Sequence, residues 1–276
     1  KPTGKDNLVV AKDMPDHKAA VKMVMDALLD KKYGVVSSMD EIQAVGHRVL
    51  HGGKFYSESI VINEDVKRVI RECFDLGPLH NPANLKGVNA VKALLPNLPQ
   101  VGVFDTAFHQ TMPDYAYMYP LPYEFYEKYG VRRYGFHGTS HRYVSQRVCE
   151  YLGVKPEGKK IITCHVGNGG SYAAVVDGKC VDTTMGLTPL EGIMMGTRCG
   201  EIDPAIIPYL MKHAKLTPEE MDTIMNKKSG LLAIAGSSDC RDICAKAEKG
   251  DKAAELALEM LAYRVALYIG AYNTVI

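Results

Sequence analysis

Tryptophan is absent from this chain of 276 residues, and so is any surplus of charge: 33 lysines and arginines stand against 32 aspartates and glutamates, a net charge of +1. There is no basic field to gather nucleic acid by its phosphates and no acidic tail. No apolar run reaches the length that crosses a bilayer, and the first residues lack the pattern of a secretory signal. A cytoplasmic location is the expectation, with neither nucleic acid nor membrane as a partner. The seven cysteines are an odd number, scattered, with no CxxC pair. That argues against a disulfide framework or a zinc ribbon and suits reduced thiols. The pattern GxxxxGK[ST] is missing too, so a P-loop nucleotide site is not indicated.

What remains is a composition of 46% hydrophobic and 24% charged residues, the balance of a soluble globular protein of one large domain or two ordinary ones. Residues 8–10 form a strand-like apolar patch. Val21, Val24, Met25, Leu28 and Leu29 recur at helical spacing. Residues 42–50 read as a buried strand running into His47-Arg48-Val49-Leu50-His51-Gly52-Gly53. Charge arriving at a strand end is where α/β folds place ligand contacts, although a lone Arg there is also an ordinary surface residue. Asn63 predicts an N-cap for a helix with Val66, Val69, Ile70 and Cys73 inward. Asn81 predicts another, with Pro82 at its first position. Residues 101–105 form a second short strand, ending in a carboxylate. A boundary falls near residue 106, after which residues 115–129 are rich in Tyr and Pro with one short helix expected.

Ser140 predicts the cap of a helix reaching Leu152. His137 and His141 invite a metal reading by their spacing, but His137 precedes the cap and no HExxH follows. Residues 160–184 read as strand, glycine loop, strand, Asp177-Gly178 turn and strand. Gly167, Gly169 and Gly170 let successive backbone N–H groups point at an anion; an ordinary hairpin is the plainer alternative. Residues 184–204 form a connection longer than usual, with glycines, Arg198 and carboxylates. This is a site or a linker, and Ile193, Met194 and Met195 argue against disorder. Residues 229–242 read as another Gly/Ser loop, and residues 251–276 as one long helix.

Taken together, HRVLHGG, GPLHNPANL, VFDTAFHQTMP, RRYGFHGTSHRYV, CHVGNGGS, DTTMGLTPLEGIMMGTRCGEIDP and SGLLAIAGSSDCRD, in this order, resemble the acetokinase family over essentially the whole chain. The resemblance implies an α/β fold of two ribonuclease-H-like domains of the actin-like ATPase type around a cleft, over residues 1–106 and 107–276, the first incomplete. It implies reversible phosphoryl transfer from ATP to acetate, giving ADP and acetyl phosphate, with Mg²⁺, in a cytoplasmic homodimer.

By the same resemblance Arg48 and Arg198 are the active-site arginines, His137 the histidine that meets the transferring phosphoryl group, and Asp105 the aspartate that places metal or nucleophile. His165, Gly167, Asn168, Gly169 and Gly170 form a phosphate-contacting motif, and Asp239, Cys240 and Arg241 flank the nucleotide. His80 lies by the acetate, whose acyl pocket is expected from Leu50, Leu79, Phe136 and Pro189. Leu50 stands where the family commonly has Val, and the added methylene is expected to disfavour propionate by about 1–3 kcal/mol.

The family pattern also has a first phosphate loop with an Asn ahead of Lys1, and a glycine-rich adenosine loop and metal-binding Glu after Ile276. Their absence from the sequence leads to the expectation of an internal fragment with little or no activity alone, and no metal ligand is assigned with confidence. The alternatives are a propionate or butyrate kinase of the same family, an inactive structural fragment, and a metalloprotein using His137, His141 and cysteines.

Overall fold

The computed structural model describes residue 4, residues 7–78 and residues 80–276. The chain separates into two compact units, Lys1–Ala107 and Phe108–Ile276.

In the first unit Asp16 caps helix α1 (His17–Leu28) by accepting from Ala19 N at 2.7 Å. The apolar spacing predicted there yields a helix none of whose residues is buried; α1 lies against α3 (Asn81–Leu94). Strand β1 (Val45–Val49) is shorter than predicted, because a single turn of 3₁₀-helix over Met39–Glu41, closed by a Ser38/Glu41 capping box, occupies the approach. After β2 (Ile60–Val61) comes α2 (Glu64–Glu72), where Asn63 accepts from Val66 N as predicted. Strand β3 (Gln100–Phe104) lies at the centre of a sheet of order β1-β3-β2, parallel to β1 and antiparallel to β2. Val49, Val66, Ile70, Leu85 and Phe104 form the core beneath it. The patch at residues 8–10 is not a strand: it pairs with nothing among the described residues and is exposed.

The second unit opens with a 3₁₀ turn and two short helices, α4 (Asp114–Tyr117) and α5 (Tyr123–Tyr129), where one was expected. Helix α6 (Gly138–Tyr151) follows. Strands β4 (Lys160–Val166), β5 (Gly170–Val176) and β6 (Lys179–Thr183) pair antiparallel in that order. The predicted turn between β5 and β6 is present: Asp177 and Gly178 both have positive φ, at 53° and 75°, the twist that lets a two-residue loop join right-twisted strands. β5 is buried along nearly its whole length, its Ala173 and Val175 packed with Cys180 of β6 on Met112.

Beyond the hairpin come α7 (Ile206–His213) and α8 (Pro218–Lys227), the latter opened by a Thr217/Glu220 capping box. Residues 229–242 are not a continuous loop. A short helix, α9 (Gly230–Ala235), occupies their first half because Leu231 and Ala235 join Met194, Ile243, Ala254 and Ala257 in a second core. Helix α10 (Cys240–Ala247) and the 24-residue α11 (Lys252–Val275) complete that packing, with Asp251 capping α11. Among the described residues no helix is long and apolar enough to cross a membrane.

Candidate active site

In the first unit the parallel pairing of β1 and β3 sets Arg48 opposite Val103. Residues two apart share a face of a strand, which brings Asp105, just past the end of β3, onto the side of Arg48. The result is a two-point ion pair: Arg48 Nε donates to Asp105 Oδ1 at 2.9 Å and Nη2 to Oδ2 at 2.6 Å. The carboxylate is buried while the guanidinium side chain is 63% exposed. The hydrogen bond to Asp105 holds the Arg48 pKa above its ordinary value, burial working against it. A planar fork presented to solvent and fixed from behind suits recognition of a carboxylate or phosphoryl group.

The segment after β1 is clamped from α3. Asn81, predicted as a helix cap, is instead the first residue of α3 and fully buried. Its Oδ1 accepts from His51 N at 3.0 Å, and its Nδ2 donates to the carbonyls of His51 at 3.0 Å and Ile70 at 3.2 Å. Its side chain thus satisfies three buried backbone groups at once, where a cap would satisfy one helix N–H. Leu50 N donates to Asn84 Oδ1 at 3.1 Å, and the Leu50 side chain is buried. His80 is half-buried just ahead of α3. Leu79 lies outside the described residues.

In the second unit the predicted histidines come together. His137, just before α6, sits in the left-handed region at φ 59°. Its ring stacks on that of His165 at 4.0 Å between centroids and 19° between planes. His137 Nδ1 lies 2.8 Å from Ser171 Oγ, and His165 Nδ1 lies 2.9 Å from Ser140 Oγ. Ser140, predicted as a helix cap, therefore spends its hydroxyl on His165, and no side chain caps α6.

The glycine loop lies against this pair. A Cβ at Gly169 would stand 3.3 Å from Arg198 Nη1 and 3.6 Å from His137 Cε1, and one at Gly170 would strike Ile193 at 2.5 Å. Gly167 and Asn168 are exposed, with Gly167 N donating to the Gly169 carbonyl at 3.0 Å. Arg198 Nη1 donates to the Pro189 carbonyl at 2.8 Å, and burial lowers the Arg198 pKa. Phe136 is fully buried; Pro189 is half-buried.

Asp239 caps α10 by accepting from Arg241 N at 2.9 Å, and its carboxylate also takes Arg241 Nε at 3.0 Å. The Arg241 side chain first, then the Arg241 backbone, holds Asp239 down at about 2. Cys240 is exposed at the first turn. Gly196, whose N donates to the Asn168 carbonyl at 3.2 Å, connects this segment to the glycine loop, since Ser238 borders the space where its Cβ would be.

Several residues outside the set assigned from the acetokinase resemblance pack around these groups. His141 is buried between Thr163 and Ser171, with Nδ1 2.8 Å from Thr163 Oγ1 and Nε2 2.8 Å from Ser171 Oγ. His109 Nε2 donates to the Phe136 carbonyl at 2.8 Å, next to the strained backbone of His137. Arg133 ties the long connection to the hairpin. It donates to the Thr183 carbonyl at 2.7 Å and pairs with Glu191 at 2.8 Å, and Glu191 also accepts from the Tyr119 hydroxyl. Residues 184–204 are thus an anchored loop, with Ile193, Met194 and Met195 buried. The signal for the hydroxyls was the strand period: Thr163 and His165 share a face of β4, and Ser171 pairs with His165.

Two small sheets flanked by helices, with a glycine-bearing β-hairpin beside an arginine and paired histidines, define an α/β protein of the actin-like ATPase class rather than a P-loop one. Residues 1–276 match the model of the acetokinase family, and the chain belongs to that family. It is 62% identical over 265 residues to the acetate kinase of Bacteroides thetaiotaomicron, covering 96% of this chain and 66% of that protein. Against acetate kinase 2 of Clostridium perfringens the identity is 56% over 273 residues, covering 99% and 69%.

Among solved structures, Porphyromonas gingivalis acetate kinase superposes with a TM-score of 0.93 at 50% identity, covering 99% of this chain and 69% of that one. A propionate kinase from Francisella tularensis gives 0.89 at 45% identity, covering 94% and 66%. The chain thus spans about two thirds of the length of the relatives it matches.

Proposed function

We propose that the protein transfers the γ-phosphoryl group of ATP reversibly to acetate, giving acetyl phosphate and ADP by direct in-line attack. The observation that carries this reading is the Arg198 guanidinium and the His137 ring, stacked on His165, lying against the glycine loop at Gly169. Acetate is already an anion at neutral pH and needs no general base. The difficulty is repulsion: one anion must approach another, and charge spreads over the equatorial oxygens in the transition state. A carboxylate oxygen forms the new P–O bond while the bond from phosphorus to the bridging oxygen of ADP breaks. Arg48 and Arg198 hold and neutralise the partners. His137 donates to a phosphoryl oxygen, and the backbone of residues 167–170 takes the departing phosphates.

Mg²⁺ belongs to the same reading. It takes one or two carboxylates together with phosphate oxygens, and Asp105, the buried carboxylate beside Arg48, fits as a protein oxygen donor. When bound, the ion neutralises phosphate charge. A homodimer in the cytoplasm completes the proposal.

Propionate as acceptor is the second reading, favoured by the likeness to a propionate kinase. A hydroxamate assay on the protein from its complete reading frame, with acetate, propionate and butyrate, tests both. Acetate should give the highest kcat/KM, and Leu50→Val should move the ratio toward propionate. Equal or higher kcat/KM with propionate selects the second reading, and no acyl phosphate from any of the three overturns both.

A further inference from the structure

The Ser171 hydroxyl stands 2.8 Å from two ring nitrogens, Nδ1 of His137 and Nε2 of His141, and has a single proton to give. His141 has Thr163 Oγ1 at 2.8 Å from its other nitrogen. Thr163, His141, Ser171 and His137 therefore form one chain of hydrogen bonds. Ser171 is fully buried and its hydroxyl has no further acceptor among the described residues, so its proton goes to one of the two rings, and the direction of that link fixes the rest. Burial drives the His141 pKa down to about 2, with His109, His137 and His165 adding to the effect in that order. The ring of His141 is neutral and carries one proton.

Two arrangements satisfy every link while His137 is also neutral. In one, Thr163 donates to His141 Nδ1, His141 Nε2–H donates to Ser171, and Ser171 donates to His137 Nδ1. The proton of His137 is then on Nε2. In the other, each donor is reversed and His137 carries its proton on Nδ1. Thr163 must then direct its hydroxyl proton elsewhere, to the Ala173 carbonyl at 3.4 Å. A hydroxyl bond of 2.8 Å is of ordinary length, whereas 3.4 Å lies beyond the normal range. The first arrangement spends the Thr163 proton on the short bond.

We infer that the Thr163–His141–Ser171 chain fixes His137 in the tautomer with its proton on Nε2, so that His141 is a positioning residue for the phosphoryl-contacting histidine. The inference rests on the role proposed above for His137. With Nδ1 turned to Ser171, a phosphoryl oxygen would meet Nε2, where an N–H attracts it and a bare lone pair repels it. His109, bonded to the Phe136 carbonyl, steadies the left-handed backbone from which the ring hangs.

The test is ¹⁵N spectroscopy of the protein labelled in its histidine rings, at mildly alkaline pH, with the signals assigned by their loss in His137→Gln. The expected result is His137 Nδ1 in the unprotonated range and Nε2 in the protonated range. A proton on Nδ1, or an even mixture, overturns the inference without recourse to any variant. In Ser171→Ala, and in His141→Gln as a second route, the two signals should move toward each other as the tautomers begin to exchange; signals unmoved in both overturn the relay. Acyl phosphate formation by His137→Gln is read separately. Full activity there would remove the phosphoryl role of His137 while leaving the tautomer assignment to stand on the spectra.

Discussion

The first unit holds its charged pair directly, a buried Asp105 gripping an exposed Arg48 by two points. The second unit holds its histidines through neutral hydroxyls, with Ser171, Ser140 and Thr163 each placed on a ring nitrogen. The two devices answer different needs. A guanidinium is charged at every working pH, so it needs only to be aimed. A histidine changes its charge and moves its proton in the range where enzymes work, and has to be held in one protonation state as well as one place. Ion pairing does the first task, and a buried hydrogen-bond chain does the second.

Removing the aimed groups should have the largest effect. His137→Ala and Arg198→Ala are each expected to lower kcat for acyl phosphate formation by about 10²–10³, the usual loss for a donor to developing charge; losses below tenfold in both would break the assignment. Next, Arg48→Ala strips a buried carboxylate of a charged hydrogen-bond partner, and the first unit should lose about 2 kcal/mol in denaturant unfolding. An unchanged midpoint would mean that the pair serves ligand binding alone.

Acid tests the second device. In the unfolded chain His141 takes up a proton near its ordinary 6.5, while in the folded protein it stays neutral until about 2. The unfolded state binds more protons across that window, so this contribution to stability is complete above 6.5 and falls as the pH drops toward 2. Between roughly pH 7 and pH 5 the loss amounts to about 2 kcal/mol from this ring, and His141→Gln should flatten the slope; an identical slope in the variant would place the acid sensitivity elsewhere. The smallest effect is expected at the far end of the hairpin. Gly178→Ala puts a Cβ on a residue at φ 75°, with a loss of about 1 kcal/mol in thermal unfolding.

The sequence made local structure legible wherever one residue's chemistry decided it. Asp177-Gly178 dictated the hairpin, Asn63 its cap, Asp251 the start of the last helix, and the ordered motifs identified the family. It misled where a side chain had two uses and a distant partner chose between them. Asn81 and Ser140 look like helix caps, yet Asn81 serves the backbone of His51, thirty positions away, and Ser140 serves His165. Ser229 and its neighbours look like loop until a buried core recruits Leu231 and Ala235 into a helix. His141 looked like half of a metal pair. Only the pairing of β4 with β5, which sets Thr163 and Ser171 on either side of it, shows a neutral relay instead. Arg133 and Glu191 carried no local pattern at all, and their meeting depends on where the long loop folds back.

The strand register described for the hairpin has one more result. Ser171 faces the histidines because side chains alternate along β5 and because the short glycine loop joining β4 to β5 sets the register that pairs it with His165. A slip by one residue would turn Ser171 away and bring Gly170 or Tyr172 in its place. Such a molecule could keep both sheets, every helix and most of its core while its histidine lost track of its proton. Placing one hydroxyl is here a matter of folding accuracy, set by a glycine loop of three residues between two strands.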